Sequence, residues 1–495
     1  MKAKIRLIPG MPDDENRDYL PEKLQQNEWV VNENGNNSHV FPKRLKKYKE
    51  CLVGEIEDTW YEYIPESYDS EKKTPLVLSM HGGLMTGWGQ AIYTSWTLVA
   101  DREGFIVVFP NAGKDRIWMM ECDWEKVKET SDNMPSDVPL LHKPEEHVKD
   151  YHDVKMTVAL IERMKEKYNI DYGRIYMQGM SMGNAMTCQF ARYMGHILAG
   201  AAGSGCPTNT KLLFDENETI INLGGPLDIW QSRLELDQVP PHYKEKDRIT
   251  ILKNCKYWNQ INNSTALPKI RIRGDYNFAF FDGDKGNTVL MDVKNRDHGQ
   301  TIDDAEYVWD YLFSGCYKDE KGLLRHTTPD RERKGDDFNI AIMEGCKKVW
   351  VNNLVIEMEA PAFQWKKLKY HGLHGEAIVR GEYLYVPVSF LAKVFLIDIQ
   401  NTENGFISDF ILADGTEIQF AKGNISCVVN NRIESMSCEA VERDHVLYVP
   451  LEWFVKRFYQ MQTSSCEGVL YVTDHDASIS KYMAYLLMDI LQERF

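Results

Sequence analysis

The sequence predicts an α/β fold, a doubly wound and mostly parallel sheet, followed by a smaller α+β domain. Three observations carry that reading. From about residue 50 to 315, short apolar runs alternate with helix-periodic segments in the manner of βαβ units. A densely charged stretch, CYKDEKGLLRHTTPDRERKGDD, starts at Cys316 and breaks the pattern. Beyond it, Tyr, Val, Ile and Phe gather in short runs between turns, and one pattern occurs twice.

A chain of 495 residues exceeds what one core organises. The expected division is an N-terminal extension (1–45), an α/β domain (46–315), a charged linker (316–340), two α+β repeats (341–475) and an amphipathic helix (476–495). Within the α/β domain, LVGEIEDTWYEYI predicts an antiparallel pair or one bent strand. Pro75–Met80 is a short buried strand that runs into His81-Gly82-Gly83. A helix through SWTLVADREG leads to a second strand, Phe105–Pro110. Val154, Val158, Ile161 and Met164 share one face of a helix over residues 153–168. Strands are expected at Arg174–Gln178, Thr219–Leu223 and Thr288–Val293, a helix just after Met182, and a last helix in DDAEYVWDYLF.

The hydrophobic and charged contents, 43% and 27%, are ordinary for globular domains. A formal charge of −16 argues against phosphate-backbone recognition, so no nucleic-acid partner is expected. The ten cysteines are scattered, with no CxxC pair and no Cys/His spacing suited to zinc, so neither metal nor cofactor is expected. The N-terminus lacks the apolar core of a signal peptide, and no run of eighteen apolar residues occurs. As written, the chain reads as cytoplasmic, or as extracellular or surface-bound if an export signal was trimmed.

Gly179-Met180-Ser181-Met182-Gly183 fits the G-x-S-x-G nucleophile elbow between a strand and a helix. There the serine hydroxyl is lifted above the sheet, beside a helix N-terminus that favours developing negative charge. Upstream, the amides of His81-Gly82-Gly83, that of Gly83 foremost, are placed to join the Met182 amide as an oxyanion hole. Acid and base should follow in that order. His298, in a loop before the last helix, is the base candidate among thirteen histidines. Asp228, in TIINLGGPLD, is the acid candidate, with Asp237 and Asp282 as rival loop carboxylates. Trp230 and Trp258 are candidate substrate contacts within an aromatic-rich region that also holds Tyr243, Tyr257, Phe278, Phe280 and Phe281.

Six segments in order resemble the α/β-hydrolase branch of polyhydroxybutyrate depolymerases and feruloyl or acetylxylan esterases. They are PLVLSMHGG, WTLVADREGFIVVFPN, DVKMTVALIERMKEKYNIDYGRIYMQGMSMGN, the GGPLD loop, YWNQINN and the DHG before the last helix. The resemblance implies a cofactor-free serine esterase acting through an acyl-enzyme on a feruloyl, acetyl or hydroxyacyl ester, free or linked to a polysaccharide or polymer. Two departures stand out: Asn184 replaces a small residue after the elbow, and GGPLD replaces the HG-x-x-D form. A prolyl-oligopeptidase-like peptidase shares the elbow and the triad order, although no propeller repeat is present. A surface scaffold with a decayed hydrolase domain is the non-enzymatic alternative.

In the second half, EYLYVPVSFLAKVF recurs as HVLYVPLEWFVKRF, each copy preceded by an Asn-Asn turn (VWVNNLVIEM and CVVNNRIESM). These segments resemble the stalk-like repeat described at the N-terminus of copper amine oxidases. The resemblance implies an accessory module, suited to cell-surface attachment, and no copper. A chain ending near residue 320 is accordingly expected to keep activity on small esters.

Overall fold

A computed structural model describes residues 2–5, 42–113, 116–122, 124–125, 128, 143–238, 247–264, 267–371, 373, 375–402 and 404–495. Most of the expected N-terminal extension, and Tyr243, lie outside the described residues. The described residues group into two compact units, 1–266 with 280–333, and 267–279 with 334–495.

The strands of the first half are β1 (Lys46–Val53), β2 (Ile56–Tyr63), β3 (Thr74–Met80), β4 (Ile106–Pro110), β5 (Ile170–Met180), β6 (Gly200–Ser204), β7 (Asp228–Leu234), β8 (Lys269–Arg273), β9 (Tyr276–Phe281) and β10 (Thr288–Val293). They form one mixed sheet in the order β1-β2-β4-β3-β5-β6-β7-β10-β9-β8. From β4 through β3, β5, β6 and β7 to β10 the pairing is parallel, whereas β1–β2 and β2–β4 are antiparallel. This is the mostly parallel α/β sheet that the sequence predicts. Its parallel strands read as continuous apolar runs because both faces are covered: all five residues of β4 are buried, and Leu76, Leu78, Ile106 and Val108 enter the same core as Leu160 and Met164. Burial of each such side chain contributes about 1.5–3 kcal/mol.

The helices here are α1 (Gly87–Tyr93), α2 (Trp96–Glu103), α3 (His152–Lys167), α4 (Met182–Met194), α5 (Asp247–Ile261) and α6 (Asp304–Tyr311). Two expectations are corrected. Residues 219–223 form no strand, only an isolated bridge between Phe214 and Ile220, and the strand of that region is β7, beginning at Asp228. The expected linker is not one: β11 (Cys316–Lys318) and β12 (Leu324–His326) pair as a hairpin of the first unit. There Lys318 Nζ donates to the Gly195 carbonyl at 2.7 Å, and the Thr327 amide to that of Gly315 at 2.8 Å.

The second unit interlocks its two sequence repeats. Its strands are β13 (Asn339–Met343), β14 (Lys348–Val351), β15 (Leu354–Glu357), β16 (Phe363–His371), β17 (Glu376–Pro387), β18 (Asp398–Asn401), β19 (Ile407–Ile411), β20 (Glu417–Ala421), β21 (Ser426–Val429), β22 (Arg432–Ser435), β23 (Val441–Arg443), β24 (Val446–Pro450), β25 (Gln462–Cys466) and β26 (Val469–Thr473). Two sheets match strand for strand, β15-β14-β13-β26-β25 and β22-β21-β20-β19-β18. Each therefore takes three strands from one repeat and a closing hairpin from the other. The third sheet, β16-β17-β24-β23, brings the two YVP segments together, with Val386 opposite Val449. Each YVP leads into a helix, α7 (Val388–Phe395) or α8 (Leu451–Tyr459), and each proline caps its helix rather than sitting inside it. Asn352, Asn353, Asn430 and Asn431 all have positive φ, as two-residue hairpin turns require. A last helix, α9 (Lys481–Leu491), buries Tyr482, Met483, Leu486, Leu487 and Ile490.

Residues 267–279 belong to this unit through specific bonds. Buried Asp336 accepts the Ile272 amide at 2.9 Å and the Tyr471 hydroxyl at 2.8 Å, and pairs with Arg273 at 2.8 Å. Asn277 bonds the main chain of Ser478 and Ser480, both at 3.0 Å. A chain ending near residue 320 strands this segment without its partners, so the expected boundary does not separate two independent folds.

Candidate active site

The elbow is dictated by sterics. A Cβ on Gly179 would lie 2.1 Å from the Gly183 carbonyl oxygen, and one on Gly183 would lie 2.2 Å from that of Met80. Neither approach tolerates a side chain. Between them Ser181 adopts φ 57° and ψ −121°, strain of about 1–3 kcal/mol that the surroundings must hold. Its amide donates to the Ser204 carbonyl at 2.8 Å and its carbonyl accepts the first bond of α4, from Ala185, at 3.1 Å. Asn184 anchors the start of α4, donating to the carbonyls of Gly205 and Cys206 and accepting from the Cys188 thiol at 3.2 Å. A Cβ on Gly203 would overlap the Asn184 side chain, so the asparagine fits because glycine faces it.

Ser181 Oγ lies 2.8 Å from His298 Nε2, and His298 Nδ1 lies 3.0 Å from Asp237 Oδ1. His298 sits on the loop after β10 and Asp237 on the loop after β7, where the Asp237 amide bonds the Leu234 carbonyl at 3.0 Å. Gly205, at φ +66°, packs beneath: a Cβ there would come within 3.2 Å of both Asp237 Oδ2 and His298 Cε1. The histidine loop is tied to the sheet by Ser204 Oγ donating to the Gly299 carbonyl at 2.6 Å and by Gln178 Nε2 donating to Gln300 Oε1 at 2.8 Å. Gln178 Oε1 in turn accepts from Ser79 Oγ and Trp96 Nε1, both at 2.9 Å, which makes a buried polar brace behind the elbow.

His81 is structural. Burial pushes its imidazole down to about 4, so it is neutral. Nε2 accepts the Ala112 amide at 2.9 Å, hence Nδ1 carries the proton and donates to the Gly82 carbonyl at 2.6 Å. A planar trans peptide then turns the Gly83 N–H the opposite way. Among the described residues, neither the Gly83 nor the Met182 amide donates to another group. The two residues are neighbours, since a Cβ on Gly83 would meet Met182 Sδ at 2.5 Å.

Three sequence expectations need correction. Asp228 does not face His298. It starts β7, at the far end of the strand, fully buried, with His326 Nε2 at 2.8 Å and the Asn287 amide at 2.7 Å. Asp282 is a half-exposed carboxylate paired with Arg333 at 3.5 Å. Trp230 and Trp258, each 1% exposed, are core: Trp230 Nε1 donates to Ser232 Oγ at 2.7 Å, and Trp258 packs edge-on against Tyr257. Tyr257, Phe278, Phe280 and Phe281 are buried as well. Among the described residues one carboxylate trio converges, Glu103, Asp310 and Asp330, and Lys2, Arg102 and Arg331 bond to its members.

No family model matches the chain. A bifunctional acetylxylan esterase/xylanase of Neocallimastix patriciarum is 23% identical over 247 residues, which is 48% of this chain and 31% of that protein. The chain thus spans about a third of the relative's length. Among solved structures, an acetyl xylan esterase from Aspergillus awamori aligns with 53% of this chain and 97% of its own, at 13% identity and a TM-score of 0.37. A ferulic acid esterase from Anaeromyces mucronatus aligns with 58% and 93%, at 18% identity and a TM-score of 0.32.

Proposed function

The N-terminal half of this chain is related in sequence to an acetylxylan esterase/xylanase, and on that premise we propose that it is a serine carboxylic-ester hydrolase. The observation that carries the reading is the unbroken relay Ser181–His298–Asp237 at the C-terminal edge of the sheet, with spacings of 2.8 and 3.0 Å. Ser181 Oγ attacks the acyl carbon while His298 Nε2 takes its proton. Asp237 accepts the Nδ1–H, which holds the reactive tautomer and stabilises the imidazolium. The Gly83 and Met182 amides receive the oxyanion. His298 then returns the proton to the departing alcohol, and water releases the acyl group by the same steps in reverse.

The substrate class is an acyl ester of a carbohydrate, with acetyl and feruloyl groups the first candidates and hydroxyacyl esters next. A fluorophosphonate probe should attach to Ser181 in the intact chain, and a panel of p-nitrophenyl esters, methyl ferulate and acetylated xylan should show turnover that Ser181→Ala abolishes. Turnover by Ser181→Ala within tenfold of wild type overturns the proposal.

A further inference from the structure

Asp237 is completely buried, and a buried carboxylate stays charged only where a partner replaces the water it has lost. That partner is Arg233, near the end of β7 and itself only 3% exposed. Because the Asp237 amide turns back onto the Leu234 carbonyl, the two residues meet although one lies within β7 and the other beyond its end. Arg233 Nη1 donates to Asp237 Oδ2 at 2.9 Å, and Nη2 donates to the Asp237 main-chain carbonyl at 3.0 Å. One planar guanidinium thus grips side chain and backbone of the same residue, which leaves Oδ1 directed at His298 Nδ1.

We infer that Arg233 is a positioning residue of the hydrolytic site: by chelating Asp237 it fixes the charge of the carboxylate and the direction and tautomer of His298. The inference rests on the serine-hydrolase reading above. Its effect on the site passes through Asp237.

The electrostatic consequence has a definite sign. In the working form of the pair, a neutral His298 imidazole faces the Asp237 carboxylate, with one negative charge between them. A neighbouring guanidinium stabilises that form, so removing it lets the pair take up a proton more readily, whichever member receives it. The acid limb of activity then moves to higher pH. Among the described residues, ionisable groups close to the pair include Asp297, which accepts the His298 amide at 2.7 Å, and the thiol of Cys206, with that of Cys188 beside it. Burial pushes those thiols up to about 12 and about 11, which keeps them neutral. Asp304, bonded to Ser232 Oγ at 3.0 Å, is pushed up to about 7 by burial. All of these are common to wild type and variant, so the difference between the two reports the arginine.

The test is the rate at which a fluorophosphonate labels Ser181 in the full chain from pH 5 to 9, for wild type, Arg233→Met and Arg233→Lys, with folding checked by circular dichroism. Arg233→Met should label at least about tenfold more slowly at pH 8, with its midpoint raised by about half a pH unit or more. Arg233→Lys keeps the charge but not the fork. Its midpoint should stay within about 0.3 of wild type while the rate falls about threefold or more. A folded Arg233→Met with the wild-type rate and midpoint overturns the inference and leaves the serine reading standing. Should Arg233→Met fail to fold, a wild-type rate for Arg233→Lys overturns it equally. Wild type that does not label at Ser181 overturns the serine reading and this inference together.

Discussion

Strand β7 carries an aspartate–histidine pair at each end, and the two are nearly alike. Asp228 with His326 at 2.8 Å and Asp237 with His298 at 3.0 Å both join a side chain of 0% exposure to a partly exposed imidazole. What separates them is position along the sheet. The second pair lies past the C-terminal end of β7, level with the elbow, and its histidine reaches a serine. The first lies at the N-terminal end, where its histidine comes from the β12 hairpin and its carboxylate braces the Asn287 amide. In open parallel sheets reactive groups gather beyond the strand C-termini, so in the proposed reading the same chemistry is a relay at one end and a staple at the other.

The largest effects are expected at the C-terminal pair. Ser181→Ala and His298→Ala should each lower kcat/KM on p-nitrophenyl acetate by at least about a thousandfold, because triad members act as a unit. Folding, followed by thermal melting, should be preserved in both. The corresponding change at the N-terminal pair, His326→Ala, should leave kcat/KM within about twofold. It should lower stability instead, by about 1–3 kcal/mol in urea unfolding, since Asp228 stays buried without its imidazole partner.

A smaller effect sharpens the middle of the account. Buried Asp304 holds Ser232 Oγ, and burial pushes its carboxyl up to about 7. The unfolded carboxyl releases its proton near 3.9. Between about pH 4 and 7 the folded state therefore keeps a proton that the unfolded state has lost, and stability declines as pH rises through that window. Asp304→Asn, which cannot ionise, should flatten this slope, read as the change in urea midpoint between pH 4.5 and 7. An unchanged slope contradicts a protonated Asp304.

Much of the candidate site is legible in the sequence, for identifiable reasons. The elbow spells out its steric requirements in Gly179 and Gly183, and His298 stands out by its place before the last helix. The candidate acid is less legible because it depends on a strand boundary. TIINL reads as a strand by composition, which puts Asp228 at a strand end facing the elbow. The chain there instead makes only the Phe214–Ile220 bridge, and β7 begins at Asp228, so the strand's other end carries the acid loop. Arg233 was hidden for a related reason: an arginine in the strand DIWQSRL carries no local signal of burial until its partner is known. In the second half both Asn-Asn turns and both YVP segments were visible, while the exchange of closing hairpins between repeats was not, because long-range pairing leaves no trace in local pattern.

The most direct test compares the two carboxylates of β7 in one experiment, kcat/KM on p-nitrophenyl acetate for Asp237→Asn and Asp228→Asn in the full chain. Asp237→Asn should cost about a hundredfold or more, by favouring the wrong tautomer of His298, while Asp228→Asn should stay within about threefold of wild type. A large loss in folded Asp228→Asn, with Asp237→Asn near wild type, would contradict the account.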